Sequence, residues 1–264
     1  MKIGFIGCGN MATAMLKGIL KSGEVEASDM IASAKSDKTR EKIEKELGIR
    51  KADNNAQVVD FADVVFLAVK PQFLEGVLDE IRGSVKAGQI FISIAPGKTL
   101  QWLGERLGEN TKVIRTMPNT PAMVGEGMTA LCVNELITEE ETALAVKLCD
   151  TFGKTEVISE HLMDAVVGVS GSSPAYVFMF LEAMADAAVA DGMPRAQAYK
   201  FAAQSVLGSA KLMQETGKHP GELKDMVCSP AGTTIQAVRV LEEKGFRSAV
   251  IEAQTECVKK AKGM

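Results

Sequence analysis

Through the first part of the chain, short runs of apolar and largely β-branched residues alternate with longer stretches whose apolar positions recur at helical spacing. The runs cover residues 2–6, 30–34, 64–69, 89–94, 112–117 and 128–133. Residues 11–22 and 39–47 carry the helical pattern, and Gly23 and Gly48 follow them as the left-handed residue that ends a helix. Strand and helix signals in this alternation predict βαβ units around a doubly wound parallel sheet, an α/β fold. Near residues 158–165 the strand pattern stops. The remainder reads as helices over 174–190, 194–215, 233–243 and 246–262, the first two opened by Pro174 and Pro194 and followed by Gly192 and Gly217. We therefore expect two domains, an α/β domain over 1–160 and an all-helical domain over 161–264.

One helical stretch departs from the amphipathic pattern. Between Ala175 and Val189 only Glu182 and Asp186 are charged, so the helix needs cover on more than one side. A domain of about a hundred residues has few neighbours to supply it. A homodimer joined through the C-terminal helices, or a larger assembly, is the expected consequence.

Composition narrows the partners. Hydrophobic residues make up 46% and charged residues 24% of the 264, the balance of a folded globular chain. Thirty basic and 34 acidic residues leave a net charge of -4, which favours a small-molecule partner over nucleic acid or a membrane surface. No basic leader precedes an apolar segment at Met1, and no uninterrupted apolar run reaches the roughly 20 residues of a membrane span, so a cytoplasmic protein is expected. Cys8, Cys132, Cys149, Cys228 and Cys257 are scattered and odd in number, which suits reduced thiols and offers no metal-ligand spacing. His161 and His219 are the only histidines, too few for a His-centred catalytic apparatus, and both are expected at the surface.

The first strand runs directly into Gly7-Cys8-Gly9-Asn10-Met11-Ala12 and then a helix. In a dinucleotide-binding fold this is the G-x-G-x-x-A turn. Gly7 makes the tight bend, Gly9 lets the backbone approach a pyrophosphate, and Ala12 lets the helix pack closely while its N-terminus faces the anion. Ile6 to Met11 are accordingly cofactor-binding candidates in an N-terminal Rossmann-like domain. NAD enzymes place a carboxylate at the tip of the second strand to hold the ribose. Here that tip reads Ser33-Ala34-Lys35-Ser36, which suits the 2′-phosphate of NADPH, with NADH a poorer ligand; a solvated surface lysine is the alternative for Lys35. Ala68-Val69-Lys70-Pro71 and Asn119 follow later strands, on the side where open α/β sheets bind ligands, and are further cofactor-binding candidates; the loop with Asn119 suits the nicotinamide amide and equally a rigid surface loop.

In the helical part, the segments 170–176 and 229–234 each set small hydroxyl and glycine residues before a helix. Such starts offer unpaired N–H groups to a carboxylate, and ordinary capping explains either one alone. Ser170, Gly171, Ser229, Gly232, Thr233 and Thr234 are the substrate-binding candidates.

Pro220, Leu223, Val227, Cys228, Ser229, Gly232, Thr234, Ala237, Val238 and Leu241 resemble, in type and spacing, the signature of pyrroline-5-carboxylate reductases. The likeness extends through the glycine loop, residues 68–71, 117–121 and 170–176. It implies an NADP-binding domain followed by a substrate-binding and dimerisation domain, and reduction of 1-pyrroline-5-carboxylate to L-proline. It also implies that Thr234 touches the ring nitrogen, that Ser229 and 232–234 hold the carboxylate, that Asn55 contacts the cofactor, and that Glu160 lies near the substrate. Ala231 stands where the family commonly has glycine, as do Pro96 for alanine and Ser173 for glycine. An iminium carbon accepts hydride readily, so positioning suffices, with Thr234 as the catalytic group and no strong base.

Two rivals remain. A β-hydroxyacid dehydrogenase would need a lysine on the helix after the glycine-rich turn, whereas the first lysine after Pro174 is Lys200. A silent nucleotide-binding protein is the other, and the intact 229–234 turn argues against it.

Overall fold

The structure is a computed structural model that describes residues 1–263. In chain order its first elements are β1 (Ile3–Ile6), α1 (Asn10–Ser22), β2 (Met30–Ser33), α2 (Asp37–Lys45), β3 (Arg50–Lys51), α3 (Asn55–Phe61), β4 (Val64–Leu67), α4 (Pro71–Ile81), β5 (Ile90–Ser93) and α5 (Leu100–Leu107). β6 (Lys112–Met117), β7 (Gly127–Val133), α6 (Glu139–Asp150), β8 (Gly153–Val157) and the short α7 (Met163–Val166) follow. The last elements are α8 (Ser173–Ala190), α9 (Arg195–Thr216), α10 (Pro220–Val227), α11 (Thr233–Glu243) and α12 (Phe246–Ala261). The fold divides into two compact units, Met1–Gly171 together with the chain from Val258 onward, and Ser172–Cys257.

In the first unit the apolar runs become strands because helices cover both faces of the sheet. β1, β2, β4 and β5 are buried at every position, which is why their sequences are continuously apolar and do not alternate. One face packs on α1 and α6 through Phe5, Met15, Leu16, Phe66 and Leu148, with the Phe5 and Phe66 rings stacked at 4.5 Å. The other face packs on α3, α4 and α5 through Val58, Leu74, Leu78 and Leu103.

The strand order is β3-β2-β1-β4-β5-β6-β7-β8. The chain winds outward from β1 to β3 and returns beside β1 with β4, so a crevice opens at the carboxyl ends of β1 and β4. Three features depart from the periodicity. β3 is a two-residue exposed edge strand with no apolar residue, and β8 carries Lys154, Thr155 and Glu156 at the other edge, so neither has a hydrophobic run to reveal it. β7 pairs antiparallel with β6, because the connection between them holds only the 3₁₀ turn Thr120–Val124 and no crossover helix.

The second unit is helical. α8 packs on α9, and only Ala185, Ala198 and Ala202 are buried among its described residues. The helical stretch Glu160–Ala190 contains an 18-residue window of mean hydropathy 1.2, enough by length and composition to cross a bilayer, and only 6% of that window is buried. An averaged window tolerates the two charges, Glu182 and Asp186, that interrupt the apolar run.

Candidate active site

The two glycines after β1 are glycine for different reasons. Gly7 has φ +92, and a Cβ there would lie 2.6 Å from the Ala68 carbonyl oxygen and 2.9 Å from Val69 Cγ1. The turn itself requires it. Its N–H donates to the Ser33 carbonyl at 3.2 Å, which joins the tips of β1 and β2, while the Ala68 N–H donates to Ile6 at 2.8 Å and brings in β4. Gly9, by contrast, has an ordinary φ of -75 and nothing within 4 Å of where a Cβ would stand. It is the N-cap of α1, no side chain caps it, and the space above the first turn is open for an anion. Cys8 is buried, with Sγ 3.9 Å from Thr13 Oγ1, whereas Asn10 is exposed and Met11 half-buried at the helix start.

Beside this turn lies a cleft of about 440 Å³ at the tips of β1, β2 and β4. Ser33, Lys35, Arg40, Asn55, Val69, Phe73 and Glu80 are among its lining residues. Lys35 Nζ sits 5.4 Å from the centroid of the Phe73 ring. Arg40 donates from Nε to the Ala34 carbonyl at 2.8 Å and faces Asp37 at 3.6 Å. Two cations at the end of β2, with no carboxylate at the strand tip, match the chemistry of a 2′-phosphate site. Arg40, Phe73 and Glu80 are absent from the reading of the strand tips. Arg40 is legible only once α2 is known to begin at Asp37, which turns residue 40 back toward Ala34. Lys70 and Pro71 form the N-cap and first turn of α4, and the Lys70 carbonyl accepts from Phe73 at 2.9 Å.

At the end of β6 the Asn119 side chain is engaged on both sides. It donates to the Ser170 carbonyl at 3.1 Å and accepts from the Met128 N–H at 2.8 Å. The backbone around Ser170 is not the open helix start its composition suggests. Val167–Gly171 forms a π-helical turn after α7, and Ser172 keeps right-handed helical angles into α8, so the helix has no free first turn there. Ser170 Oγ is buried without a hydrogen-bond partner, and a Cβ on Gly171 would come within 3.0 Å of Met117 Cε.

Glu160 Oε1 accepts from Arg115 at 2.9 Å and from the Leu100 N–H at 2.7 Å. The carboxylate therefore neutralises a buried guanidinium and holds the first turn of α5. Burial raises the Cys132 thiol to about 12, with the Glu160 charge adding and the Arg115 charge opposing, and burial raises Cys149 to about 12 as well. Both remain protonated thiols and neither is a nucleophile.

In the second unit, residues 229–234 do form an open helix start. Gly232 is the N-cap of α11 with no side-chain cap, and its N–H donates to the Ser229 carbonyl at 3.0 Å. Ala231 has φ +58, the one non-glycine residue with positive φ among those described. Thr233 and Thr234 open the helix, Thr234 half-buried.

Residues 160–264 match the family described as pyrroline-5-carboxylate reductase dimerisation, and residues 2–97 match that described as NADP oxidoreductase, coenzyme F420-dependent. The pyrroline-5-carboxylate reductase of Escherichia coli (strain K12) is 56% identical over 260 residues, covering 98% of this chain and 97% of that protein. That of Methanosarcina acetivorans is 44% identical over 252 residues, covering 96% and 93%. Among solved structures, the Coxiella burnetii pyrroline-5-carboxylate reductase superposes with a TM-score of 0.93 at 33% identity, covering 99% of this chain and 97% of the other. The Plasmodium falciparum pyrroline carboxylate reductase with NADP bound gives 0.89 at 28% identity, covering 100% and 97%. With relatives this similar along nearly its whole length, and with a glycine-lined turn after the first strand of one unit and a helix start without a side-chain cap in the other, the chain belongs to the pyrroline-5-carboxylate reductase family.

Proposed function

We propose that the protein reduces 1-pyrroline-5-carboxylate to L-proline with NADPH, as the last step of proline synthesis. The observation that carries this reading is the 56% identity to a pyrroline-5-carboxylate reductase over 98% of the chain, since a nucleotide turn alone is common to many reductases. NADPH supplies the hydride. The chain's own residues bind and orient: Ile6 to Met11 and Ala68 to Pro71 shape the dinucleotide site, Asn55 and Ser33 line its ribose end, and Lys35 with Arg40 face the 2′-phosphate. The open N–H groups of 232–234 and the Ser229 hydroxyl suit the substrate carboxylate, and Thr234 the ring nitrogen. The substrate nitrogen enters already protonated, as an iminium; its carbon gains the hydride and the nitrogen keeps that proton, giving a secondary amine, so no residue has to supply a proton or act as a strong base.

Ser170 and Gly171 we assign to the substrate side through the π turn, and Asn119 to holding that turn in place. Glu160 we assign to Arg115 and Leu100, a positioning role near the site. In functional terms 1–160 serves the cofactor and 161–264 serves the substrate and assembly. The nearly unburied second unit supports a homodimer through its helices.

Oxidation of NADPH on adding pyrroline-5-carboxylate, with proline as product, is the direct test, and absence of turnover refutes the reading. Thr234→Val is expected to lower kcat at least tenfold while calorimetric NADP+ affinity stays unchanged. An unaltered kcat removes Thr234 from the chemistry.

A further inference from the structure

The cleft at the end of β2 contains a hydrogen-bonded chain whose direction is fixed by chemistry. The Asn55 amide lies between Glu80 Oε2, 2.7 Å from Asn55 Nδ2, and Ser33 Oγ, 2.7 Å from Asn55 Oδ1. An ionised carboxylate can only accept, so the amide must turn its NH₂ to Glu80 and its oxygen to Ser33. The Ser33 hydroxyl has one proton, and that proton is given to Asn55. What Ser33 presents to the cleft is lone pairs.

Resting on the reading of this cleft as the adenosine end of the cofactor site, we propose that Glu80 is a positioning residue which, through Asn55, fixes Ser33 as a hydrogen-bond acceptor for the 2′-hydroxyl of an unphosphorylated ribose. Such an acceptor suits the ribose diol of NAD(H). It is the wrong polarity for a 2′-phosphate, whose oxygens also accept, and that group is left to Lys35 and Arg40 across the same cleft. The cleft therefore separates two recognition tasks: an oriented hydroxyl acceptor reads the unphosphorylated ribose, and two cations read the phosphate. Asp53 and Glu80 are the carboxylates that line the cleft, and both disfavour the phosphate by charge, so a test of the relay must separate orientation from charge.

Glu80 is exposed on α4, and its replacement leaves no buried cavity. Calorimetric titration of the full-length protein with NAD+ and with NADP+ provides a readout independent of turnover. Glu80→Leu removes the acceptor, frees the Asn55 amide to flip and releases the Ser33 proton, and is expected to weaken NAD+ about fivefold while NADP+ is unchanged or tighter. Glu80→Gln removes the charge but still accepts from Asn55 Nδ2, so NAD+ affinity is expected to stay within about twofold of the parent. In a Ser33→Ala background, Glu80→Leu is expected to have no further effect on NAD+.

Unchanged NAD+ affinity in Glu80→Leu, equal weakening in Glu80→Gln, equal weakening of both nucleotides, or a full additional loss in the Ser33→Ala background each overturns the relay. The combined Lys35→Ala, Arg40→Ala variant separates this from the reading beneath it. A loss of NADP+ affinity of at least tenfold with NAD+ little changed upholds the cleft as the adenosine end, and any relay failure then stands alone. Indifference of both nucleotides to all of these substitutions overturns the cleft assignment and the relay together.

Discussion

At the scale of single residues, Gly7 holds a left-handed φ of +92 whereas Gly9 has an ordinary φ of -75, so two glycines of one turn answer to different constraints. The G-x-G-x-x-A spacing marks Gly7 and Gly9 together, and the structure separates them. Gly7→Ala puts a Cβ against the Ala68 carbonyl in a left-handed backbone, and is expected to destabilise the fold by about 2 kcal/mol or more. Gly9→Ala meets no protein atom and keeps an allowed φ, so its urea midpoint is expected to match the parent while NADP+ affinity falls at least tenfold. Equal loss of stability in both variants contradicts the distinction. Ala231 is the converse case. The resemblance marks it as an alanine in a glycine position, and φ +58 gives the cost of that exchange. Ala231→Gly relieves the left-handed strain but adds freedom to the unfolded chain, so a net gain of about 0.5–1 kcal/mol in chemical denaturation is expected. The roles of Arg40 and Glu80 are set by where α2 and α4 turn their side chains, and no spacing rule reports that.

At the scale of elements, what was legible followed burial. The strands buried on both faces announced themselves as apolar runs, whereas β3 and β8, exposed edge strands with polar sequences, left no period to read. The reversal of β7 was equally silent, since a strand's direction depends on what the preceding connection can span. Segment 229–234 read correctly as a helix start. Segment 170–176 has similar composition but enters α8 through a π turn, because the preceding α7 already supplies helical backbone. Glu160, expected near the substrate, also serves the fold. Its carboxylate links Arg115 of β6 to the first turn of α5. Glu160→Ala leaves a guanidinium with 8% side-chain exposure unpaired, and since Glu160 itself is 32% exposed the expected loss is about 2 kcal/mol, below that of a fully buried pair. Glu160→Gln, which still accepts both bonds, is expected to lose about half as much. Urea denaturation measures this, and the substrate KM measured beside it separates the roles: a raised KM at unchanged stability returns Glu160 to the substrate.

At the scale of the whole molecule, the two halves of the chain use their apolar residues differently. The first unit encloses its phenylalanines and leucines on both faces of the sheet. The second buries only three alanines among its described residues, while Phe178, Phe201 and Ile251 stand 65%, 68% and 64% exposed. A groove of about 920 Å³ runs along α8, α11 and α12, walled by Met179, Phe180, Met184, Val240, Leu241 and Val250. An independent domain does not leave its large side chains outside and its smallest inside, because the apolar area withheld from water then falls short of the entropy of ordering the helices. Lipid is a poor fit for this face, as Glu182 and Asp186 lie within the apolar stretch and Asp186 is paired with Arg195. In the proposed homodimer a second copy of the same helices would supply matching apolar surface, and a closed two-fold arrangement would cover both faces at once. Sedimentation of the parent protein is therefore expected to give twice the chain mass or a multiple of it across dilution. Met179→Glu and Val240→Glu each place a charge in the groove and are expected to release monomer with a lowered unfolding midpoint. Parent protein that sediments as a monomer, or charged variants that keep the parent mass, would show that something other than a second copy covers these helices.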